Sequence, residues 1–389
     1  MKSRFLFLPL LIFFFVACGK DNVSTGSGSG RDTTTLPKPK KEIQLSQSIL
    51  LDPVKINNKQ SDTKIMDSLI HYLKYTPKDA EVHVSVFLFS YDPLIKAIKE
   101  AHLRGVKINV AIDNGREESV KENKETILQL LATLKSPSRL VTVISDASST
   151  SINHNKYALF SEIHLPNGIV KNVVFSSSHN FILAGTIKIQ DALVLSNKNL
   201  YDAFVDNWND IVLRAKSGMK NFTYKEIDMD SMKAYFFPRR KNGVWDGKDT
   251  HLEIFDKISD YSTANVRVVM SDWSRVEVAV KLTELQKKGV KVEVIAKDKS
   301  GQDVLDELEK LRAAGGYVKV IKMSEKNNHS KITMVKGTWE GVKQNLLFTG
   351  SHNYTYNALK NNNEVMLMIK NGKLFNDYDT YFDELKRIL

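Results

Sequence analysis

His-Asn-Lys at residues 154–156 and His-Ser-Lys at residues 329–331 are two copies of one pattern in this chain. Each is followed, at nearly the same spacing, by a second polar cluster: Ser-His-Asn at residues 178–180 and Gly-Ser-His-Asn at residues 350–353. A lone His-x-Lys occurs by chance in many proteins. Two copies, each followed by the same polar cluster at nearly the same distance, indicate an internal duplication.

Each His-x-Lys lies at the start of a predicted strand. Apolar runs follow directly, at residues 157–160 and 332–335. Because side chains alternate along a strand, the His and the Lys of each copy are expected on the same face. A second apolar run precedes each Ser-His-Asn, at residues 173–175 and 346–348. A hairpin between the two runs would therefore bring both polar clusters of a copy side by side.

A third apolar run begins at an acidic residue in each copy, Asp191 and Glu364. Each acid lies a similar distance beyond the His of its own copy. A carboxylate there would accept a hydrogen bond from the ring nitrogen that takes no part in chemistry. It would fix the tautomer of the imidazole, as the acid does in a Ser-His-Asp triad.

The duplication extends upstream of both copies. An apolar run, a helical pattern and a Gly-Val-Lys strand precede each His-x-Lys, with Gly-Val-Lys at residues 105–107 and 289–291. Strand, helix and strand in this order predict βαβ units. We therefore expect an α/β fold of two similar mixed-sheet lobes, an N-terminal lobe at 46–230 and a C-terminal lobe at 231–389.

Together these motifs resemble those of the phospholipase D superfamily, H-x-K-x4-D followed by G-S-x-N. The second copy has the complete Gly-Ser-x-Asn, whereas Ser177 replaces the Gly in the first. Ser161 and Lys336 stand where the motif has Asp. The resemblance runs from about residue 50 to the C-terminus. It implies that the two lobes face each other across a pseudo-two-fold axis and share one active site.

Two imidazoles in one site allow a division of roles. An unperturbed His has a pKa near 6.5, so one ring can be the nucleophile while the other is the general acid. By analogy with the superfamily, His154 would attack phosphorus and His329 would protonate the leaving alcohol. Residues alone do not decide this order, because the two copies are nearly symmetric.

The remaining polar residues of the motifs would bind the phosphoryl oxygens. Both lysines supply positive charge, both asparagines supply amide hydrogens, and the hydroxyls of Ser178 and Ser351 supply further donors. The predicted catalytic set is His154, Lys156, Asn180, His329, Lys331 and Asn353. No Cys pair and no H-E-x-x-H occurs, so the sequence predicts neither a metal ion nor another cofactor.

The N-terminus has the features of a secretion signal. A basic start precedes an apolar run from Phe5 to Ala17, which is shorter than a membrane span. The run ends at Cys18, the only cysteine, in a stretch that resembles a bacterial lipobox. We expect residues 1–18 to be a signal peptide, Cys18 to carry lipid, and residues 19–45 to be a flexible tether. Gly19 rather than Asp then indicates the outer membrane.

A net charge of +11 indicates an anionic partner, either a membrane or a nucleic acid. The function that we expect is phospholipase D-type hydrolysis or transfer of phospholipid head groups through a phosphohistidine. A membrane-tethered nuclease with the same chemistry is the alternative, and a catalytically degenerate surface-binding lipoprotein is the third. A complete site within one chain predicts a monomer that needs no obligate protein partner.

Overall fold

Two mixed β-sheets with flanking helices form the folded part of the protein. The computed structural model describes residues 41–145, 148–215, 222–324 and 327–389. The predicted signal peptide with Cys18 lies outside these ranges, as does the predicted tether up to residue 40. Within the described ranges, no helix combines the length and the apolar character needed to cross a bilayer.

The first sheet has the strand order β1-β7-β6-β5-β2-β3-β4. Its strands are β1 (Ser46–Leu50), β2 (Glu81–Val86), β3 (Lys107–Asp113), β4 (Arg139–Val143), β5 (Lys156–Leu165), β6 (Gly168–Ser177) and β7 (Asp191–Ser196). The helices of this lobe are α1 (Pro53–Asn57), α2 (Lys64–Tyr75), α3 (Asp92–Leu103), α4 (Glu117–Thr133) and α5 (Lys198–Arg214). Strands β2, β3 and β4 are parallel, whereas β5, β6, β7 and β1 join by antiparallel pairing.

The second sheet has the order β15-β14-β13-β16-β17-β18-β9-β8, with β12 beside β16. Strands of this lobe are β8 (Lys225–Met229), β9 (Met232–Phe237), β10 (Arg240–Lys241), β11 (Val244–Trp245), β12 (Ile258–Ser259), β13 (Asn265–Met270), β14 (Lys291–Lys297), β15 (Tyr317–Ile321), β16 (Lys331–Trp339), β17 (Val342–Gly350) and β18 (Glu364–Ile369). Its helices are α6 (Thr250–Asp256), α7 (Val276–Lys287), α8 (Gln302–Ala313), α9 (Tyr356–Lys360) and α10 (Gly372–Ile388). Strands β10 and β11 form a separate two-stranded sheet.

Apart from the additional strands β8 and β12, the second sheet repeats the strand order of the first, so the predicted fold class of two similar mixed-sheet α/β lobes is confirmed. The duplicated Gly-Val-Lys segments have a clear local role. Gly105 and Gly289 have φ values of +94° and +103°, a conformation that ends α3 and α7 and that favours glycine. The helices that follow β7 and β18 also begin in the same way. The side chains of Asn197 and Asn371 cap α5 and α10.

A buried carboxylate joins the two lobes. Asp191, at the start of β7, accepts a hydrogen bond from Thr349 Oγ1 of β17 at 2.5 Å and one from Tyr378 Oη of α10 at 3.0 Å. Its other oxygen accepts from Ser178 Oγ at 2.9 Å. Because a buried carboxylate is costly unless it is hydrogen-bonded, these donors stabilise the contact between the lobes.

Tyr378→Phe should therefore destabilise the protein by about 1–3 kcal/mol, the usual cost of removing a donor from a buried charged acceptor. Urea unfolding of the full chain measures the free energy of unfolding. Tyr356→Phe is the matched control, because the hydroxyl of Tyr356 also donates to a carboxylate, Glu277, but its side chain is 39% exposed. Equal losses in both variants would contradict the role given to Asp191.

Candidate active site

Two reciprocal backbone bridges hold the predicted catalytic histidines at the boundary between the lobes. The amide N of His154 donates to the carbonyl O of Asn363 in the other lobe at 2.9 Å. In the equivalent bridge, the amide N of His329 donates to the carbonyl O of Ile189 at 2.9 Å. The amide N of Asn363 in turn donates to the carbonyl O of Ile152 at 3.0 Å, and the amide N of Ile189 donates to the carbonyl O of Asn327 at 2.9 Å. Each histidine is thus placed by its own strand and by the opposite lobe.

The two histidines open into one cavity of about 810 Å³. The cavity is also lined by Asn180 and Asn353, so both imidazoles and both amides of the predicted set come together. Asn353 Oδ1 accepts from the amide N of Asp272 at 3.2 Å, which leaves its NH2 group for a ligand. The shared cavity gives a phosphodiester access to both copies of the motif at once.

The predicted lysines lie buried behind the histidines. Lys156 Nζ donates to the carbonyl O of His154 at 2.5 Å, and Lys331 Nζ donates to the carbonyl O of His329 at 2.5 Å. Burial lowers the pKa of Lys156 well below its ordinary value, and it lowers the pKa of Lys331 to about 7. A phosphoryl anion in the cavity would favour the charged form of both ammonium groups.

Ser178 and Ser351 form hydrogen bonds with the first residues of the neighbouring strands β7 and β18. Ser178 Oγ donates to Asp191, and its hydroxyl also accepts from the amide N of Asp191 at 3.0 Å. Ser351 Oγ accepts from the amide N of Val365 at 3.0 Å. Both hydroxyls are buried and neither lines the cavity. The structure therefore places Ser178 and Ser351 behind the reacting groups, where they fix the strands that carry them.

His154 is oriented by an acid from the other lobe. Its Nδ1 lies 2.8 Å from Glu364 Oε2, and both side chains are buried. Burial lowers the pKa of His154, partly offset by Glu364, while the nearby histidine and Lys156 hold the pKa of the Glu364 carboxyl below its ordinary value despite burial. The pair is therefore a neutral imidazole beside a carboxylate. The Nδ1 proton points at Glu364, and the lone pair of Nε2 remains for attack.

His329 has neutral oxygen partners instead, and Lys331 Nζ lies 3.3 Å from its Nδ1. Its Nδ1 lies 2.9 Å from the carbonyl O of Ser178 and 3.1 Å from Gln190 Oε1. Two oxygen acceptors place a proton on Nδ1. Burial, followed by the charges of Lys331 and Lys188, lowers the pKa of His329 well below its ordinary value.

Gln190 is the structural counterpart of Glu364, and sequence reasoning missed it. Ser178 N bonds the carbonyl O of Asp191 at 3.0 Å, whereas Ser351 N bonds that of Val365 at 2.9 Å. The residue before each acceptor is Gln190 in one copy and Glu364 in the other. Asp191 meets no catalytic histidine and instead joins the lobes. The spacing from each His offered a signal, because Gln190 matches Glu364 more closely than Asp191 does.

The departures from the family motif are accommodated locally. Gly350 has a φ of +150°, and a Cβ there would lie 2.2 Å from the carbonyl O of Val365. Ser177 takes the same place in the first copy, where its hydroxyl donates to the carbonyl O of Asp191 at 3.0 Å and accepts from the amide N of His179 at 2.8 Å. Ser161, at a missing motif Asp, accepts from the amide N of Glu81 at 2.8 Å.

The other two histidines of the motifs, His179 and His352, are buried away from the cavity. The ring of His352 packs against Phe237, with centroids 4.0 Å apart. In the part of the chain that the structure describes, no group of three or more His, Cys, Asp or Glu is arranged to hold a metal ion.

Comparison with known proteins identifies a family. The family model for "cardiolipin synthase, PLD-like domain" matches residues 69–211 and 257–386, which takes in both lobes. No curated protein matches the chain in sequence.

Two solved structures show the same fold at low sequence identity. Phosphatidylserine synthase from Haemophilus influenzae superposes with a TM-score of 0.61 at 12% identity, over 88% of both chains. Polyphosphate kinase from Porphyromonas gingivalis superposes with a TM-score of 0.58 at 13% identity and covers 87% of this chain. The chain spans only 50% of that kinase.

Gln190→Glu should raise the pKa of His329 by about one unit or more, because a carboxylate at Nδ1 stabilises the imidazolium. Histidine-selective NMR titration of the full chain measures this pKa directly. Gln47→Glu adds the same charge on β1, outside the cavity, and is the control. If His329 titrated identically in Gln190→Glu and in the unsubstituted chain, the contact with Gln190 would not govern its charge.

Proposed function

The chain belongs to the phospholipase D superfamily, and we propose that it is a phosphodiesterase that hydrolyses or exchanges the head groups of phospholipids. The observation that carries this proposal is the pair of histidines in one cavity, with different partners at their Nδ1 atoms. Different partners for two equivalent rings are what a nucleophile and a general acid require.

The first chemical step uses His154 as the nucleophile. Its Nε2 attacks phosphorus, the bond from phosphorus to the head-group oxygen breaks, and a phosphohistidine forms. His329 gives its Nε2 proton to the departing oxygen, which leaves as an alcohol. The pKa of His329 is low in the free protein, so the substrate's own negative charge must help to protonate this ring. Lys156, Lys331 and the two asparagines balance the charge on the phosphoryl oxygens.

The second step releases the phosphoryl group from His154. The neutral His329 takes a proton from water or from an alcohol, whose oxygen attacks phosphorus. The bond from phosphorus to Nε2 of His154 breaks, and both rings return to their starting states. Water gives phosphatidic acid, and an alcohol gives a new phospholipid. The same residues therefore serve hydrolysis and transfer.

An apolar wall on the His154 side favours a lipid substrate over a nucleic acid. Phe87, Leu88 and Ile182 form a separate hydrophobic cluster with Ile152, and all four line the cavity. The equivalent wall beside His329 is polar, with Asp272 in the place of Leu88. The phosphatidyl group held on His154 would rest its apolar part against this wall. The charged backbone of a nucleic acid gains little from these apolar side chains.

The loop that follows Ser-His-Asn continues the apolar character to the surface. Leu183 is 63% exposed and Ile187 is 45% exposed, next to Ile182 in the cavity wall. Exposed apolar side chains at the rim of a cavity fit entry into the headgroup region of a bilayer. We infer that this loop contacts the membrane from which the substrate is drawn.

The proposed location follows from the N-terminal sequence. We propose that Cys18 carries a lipid anchor that keeps the enzyme, as a monomer, at a bacterial outer membrane. Cys18→Ser should move the full chain from the membrane fraction to the soluble fraction, which membrane fractionation measures. Retention of this variant in the membrane would contradict the lipid anchor.

The substrate class is tested by incubating the full chain, in EDTA, with phosphatidylglycerol vesicles, phosphatidylcholine vesicles and single-stranded DNA. Phosphatidic acid or an exchanged phospholipid is the expected product. Shortened DNA with intact lipid would replace this proposal by the nuclease, and silence on every substrate would leave a binding protein.

The order of roles is tested with bis(p-nitrophenyl) phosphate, whose leaving group needs no protonation. His329→Ala should retain a burst of about one nitrophenol per chain and then stall, because the adduct on His154 forms but is not released. His154→Ala should show no burst. Stopped-flow absorbance measures both, and a burst in His154→Ala alone would reverse the assigned roles.

The combined variant Leu183→Ser and Ile187→Ser should lower turnover of vesicle phospholipid at least about tenfold relative to turnover of the soluble diester, because membrane contact is weakened. Leu103→Ser with Val342→Ser is the control, since these residues are 78% and 60% exposed and do not line the cavity. Equal loss on both substrates would show that the loop shapes the catalytic groups and not the membrane contact.

A further inference from the structure

The two sides of the cavity carry different charge at equivalent positions. Lys297 ends β14, and Asp113 ends β3 at the same register. Lys188 precedes Ile189 of one bridge between the lobes, and Asn362 precedes Asn363 of the other. At both positions the residue on the His329 side is a lysine, and its counterpart on the His154 side is neutral or acidic.

The lysines on the His329 side form one group with Lys299. All three line the cavity that contains His329. Lys297 is buried and its Nζ lies 3.0 Å from Asp272 Oδ1. Lys188 is half-buried, and in the described ranges no carboxylate lies within 4.0 Å of its Nζ. Lys299 is exposed at the rim. Asp272 and, from the other side of the cavity, Glu118 act on this group, so two carboxylates face three ammonium groups.

The His154 side has no comparable excess. Asn362 is a neutral amide there, and its Nδ2 donates to Glu364 Oε1 at 3.1 Å. The cation on that side, Arg116, donates to the carbonyl O of Ser148 at 2.7 Å and to that of Ser151 at 3.0 Å. It is therefore committed to holding a loop, and Glu118 lines the cavity on the same lobe.

The excess positive charge lies beyond the reacting phosphoryl group. Lys156 and Lys331 lie directly behind the histidines, and the proposed mechanism already assigns them to that group. A half-buried ammonium without a partner is costly, and that cost falls when an anion binds. The chemistry of the group therefore fits a second anion, next to the alcohol that His329 protonates or deprotonates.

We propose that Lys188, Lys297 and Lys299 form a second anion subsite, which binds a phosphate carried by the leaving or attacking alcohol. This inference rests on the proposed function and narrows its substrate class to phospholipids whose head-group alcohol is itself phosphorylated. Leaving and attacking alcohols occupy the same side by microscopic reversibility. The subsite therefore acts in both steps and forms or breaks no bond. A choline head group would place a cation among three ammonium groups, so it is disfavoured.

The test compares two lipids that differ by one phosphate, phosphatidylglycerophosphate and phosphatidylglycerol, in neutral phosphatidylcholine vesicles. With the full chain, kcat/KM should be at least about tenfold higher for the phosphorylated lipid, since charge-assisted pairs are the strong ones. Lys188→Asn introduces the residue type of Asn362, the equivalent position in the other lobe. This variant should lower the ratio of the two kcat/KM values by about tenfold. Lys188→Arg should keep the preference. Free glycerol 3-phosphate should inhibit hydrolysis of phosphatidylglycerol, whereas glycerol should not.

Lys343→Asn is the matched control for loss of one positive charge. Lys343 is exposed near the start of β17, whose other end leads into Ser351, so it lies roughly 25 Å from the site at ~3.3 Å per residue. In Lys343→Asn, the ratio of kcat/KM for the two lipids should equal that of the unsubstituted chain. Equal kcat/KM for both lipids would overturn the subsite and leave the proposed function standing. Turnover of neither lipid, with cleavage of DNA, would overturn both.

Discussion

The reciprocal hydrogen bonds between the lobes are the constraint on which the site depends. His154 and His329 each lead into a strand of their own lobe, yet the amide of each is bonded to a carbonyl of the opposite lobe. A shift of one lobe against the other would move both imidazoles relative to each other and to their partners. The packing around Asp191, Thr349 and Tyr378 therefore also sets the geometry of the proposed site, although none of these side chains lines the cavity.

Duplication supplies two equal half-sites, and chemistry at phosphorus needs unequal ones. The inequality arises at equivalent positions without any change of fold. Glu364 and Gln190 occupy the same place in the two lobes, and one presents a carboxylate to His154 while the other presents an amide oxygen to His329. The wall beside His154 is likewise apolar at Phe87 and Leu88, whereas the equivalent wall beside His329 is polar, with Asp272 in the place of Leu88. The symmetric backbone preserves the geometry, and the substitutions divide the roles.

The sequence predicts the elements well because their signals are local. Apolar alternation after each His-x-Lys predicts β5 and β16, and the Gly-Val-Lys segments predict β3 and β14. Cross-lobe contacts leave no such signal. The sequence predicts Glu364 near a histidine, but periodicity within one copy does not show that this histidine is His154. Gln190 is uncharged, so a search for an acidic partner of histidine does not select it. Only the register of β7 against Ser178 reveals its position.

Burial gives the substrate a part in setting the charge of the site. Before an anion enters, burial and neighbouring cations hold the pKa of His329 well below its ordinary value, and burial lowers the pKa of Lys331 to about 7. The proposed step needs both groups protonated, and a phosphodiester between them would supply the opposite charge that favours protonation. A second phosphate beside Lys188 would remove one of the cations that oppose a proton on His329, because it would neutralise that cation. Recognition of the alcohol and protonation of its leaving oxygen are then coupled through one electrostatic field.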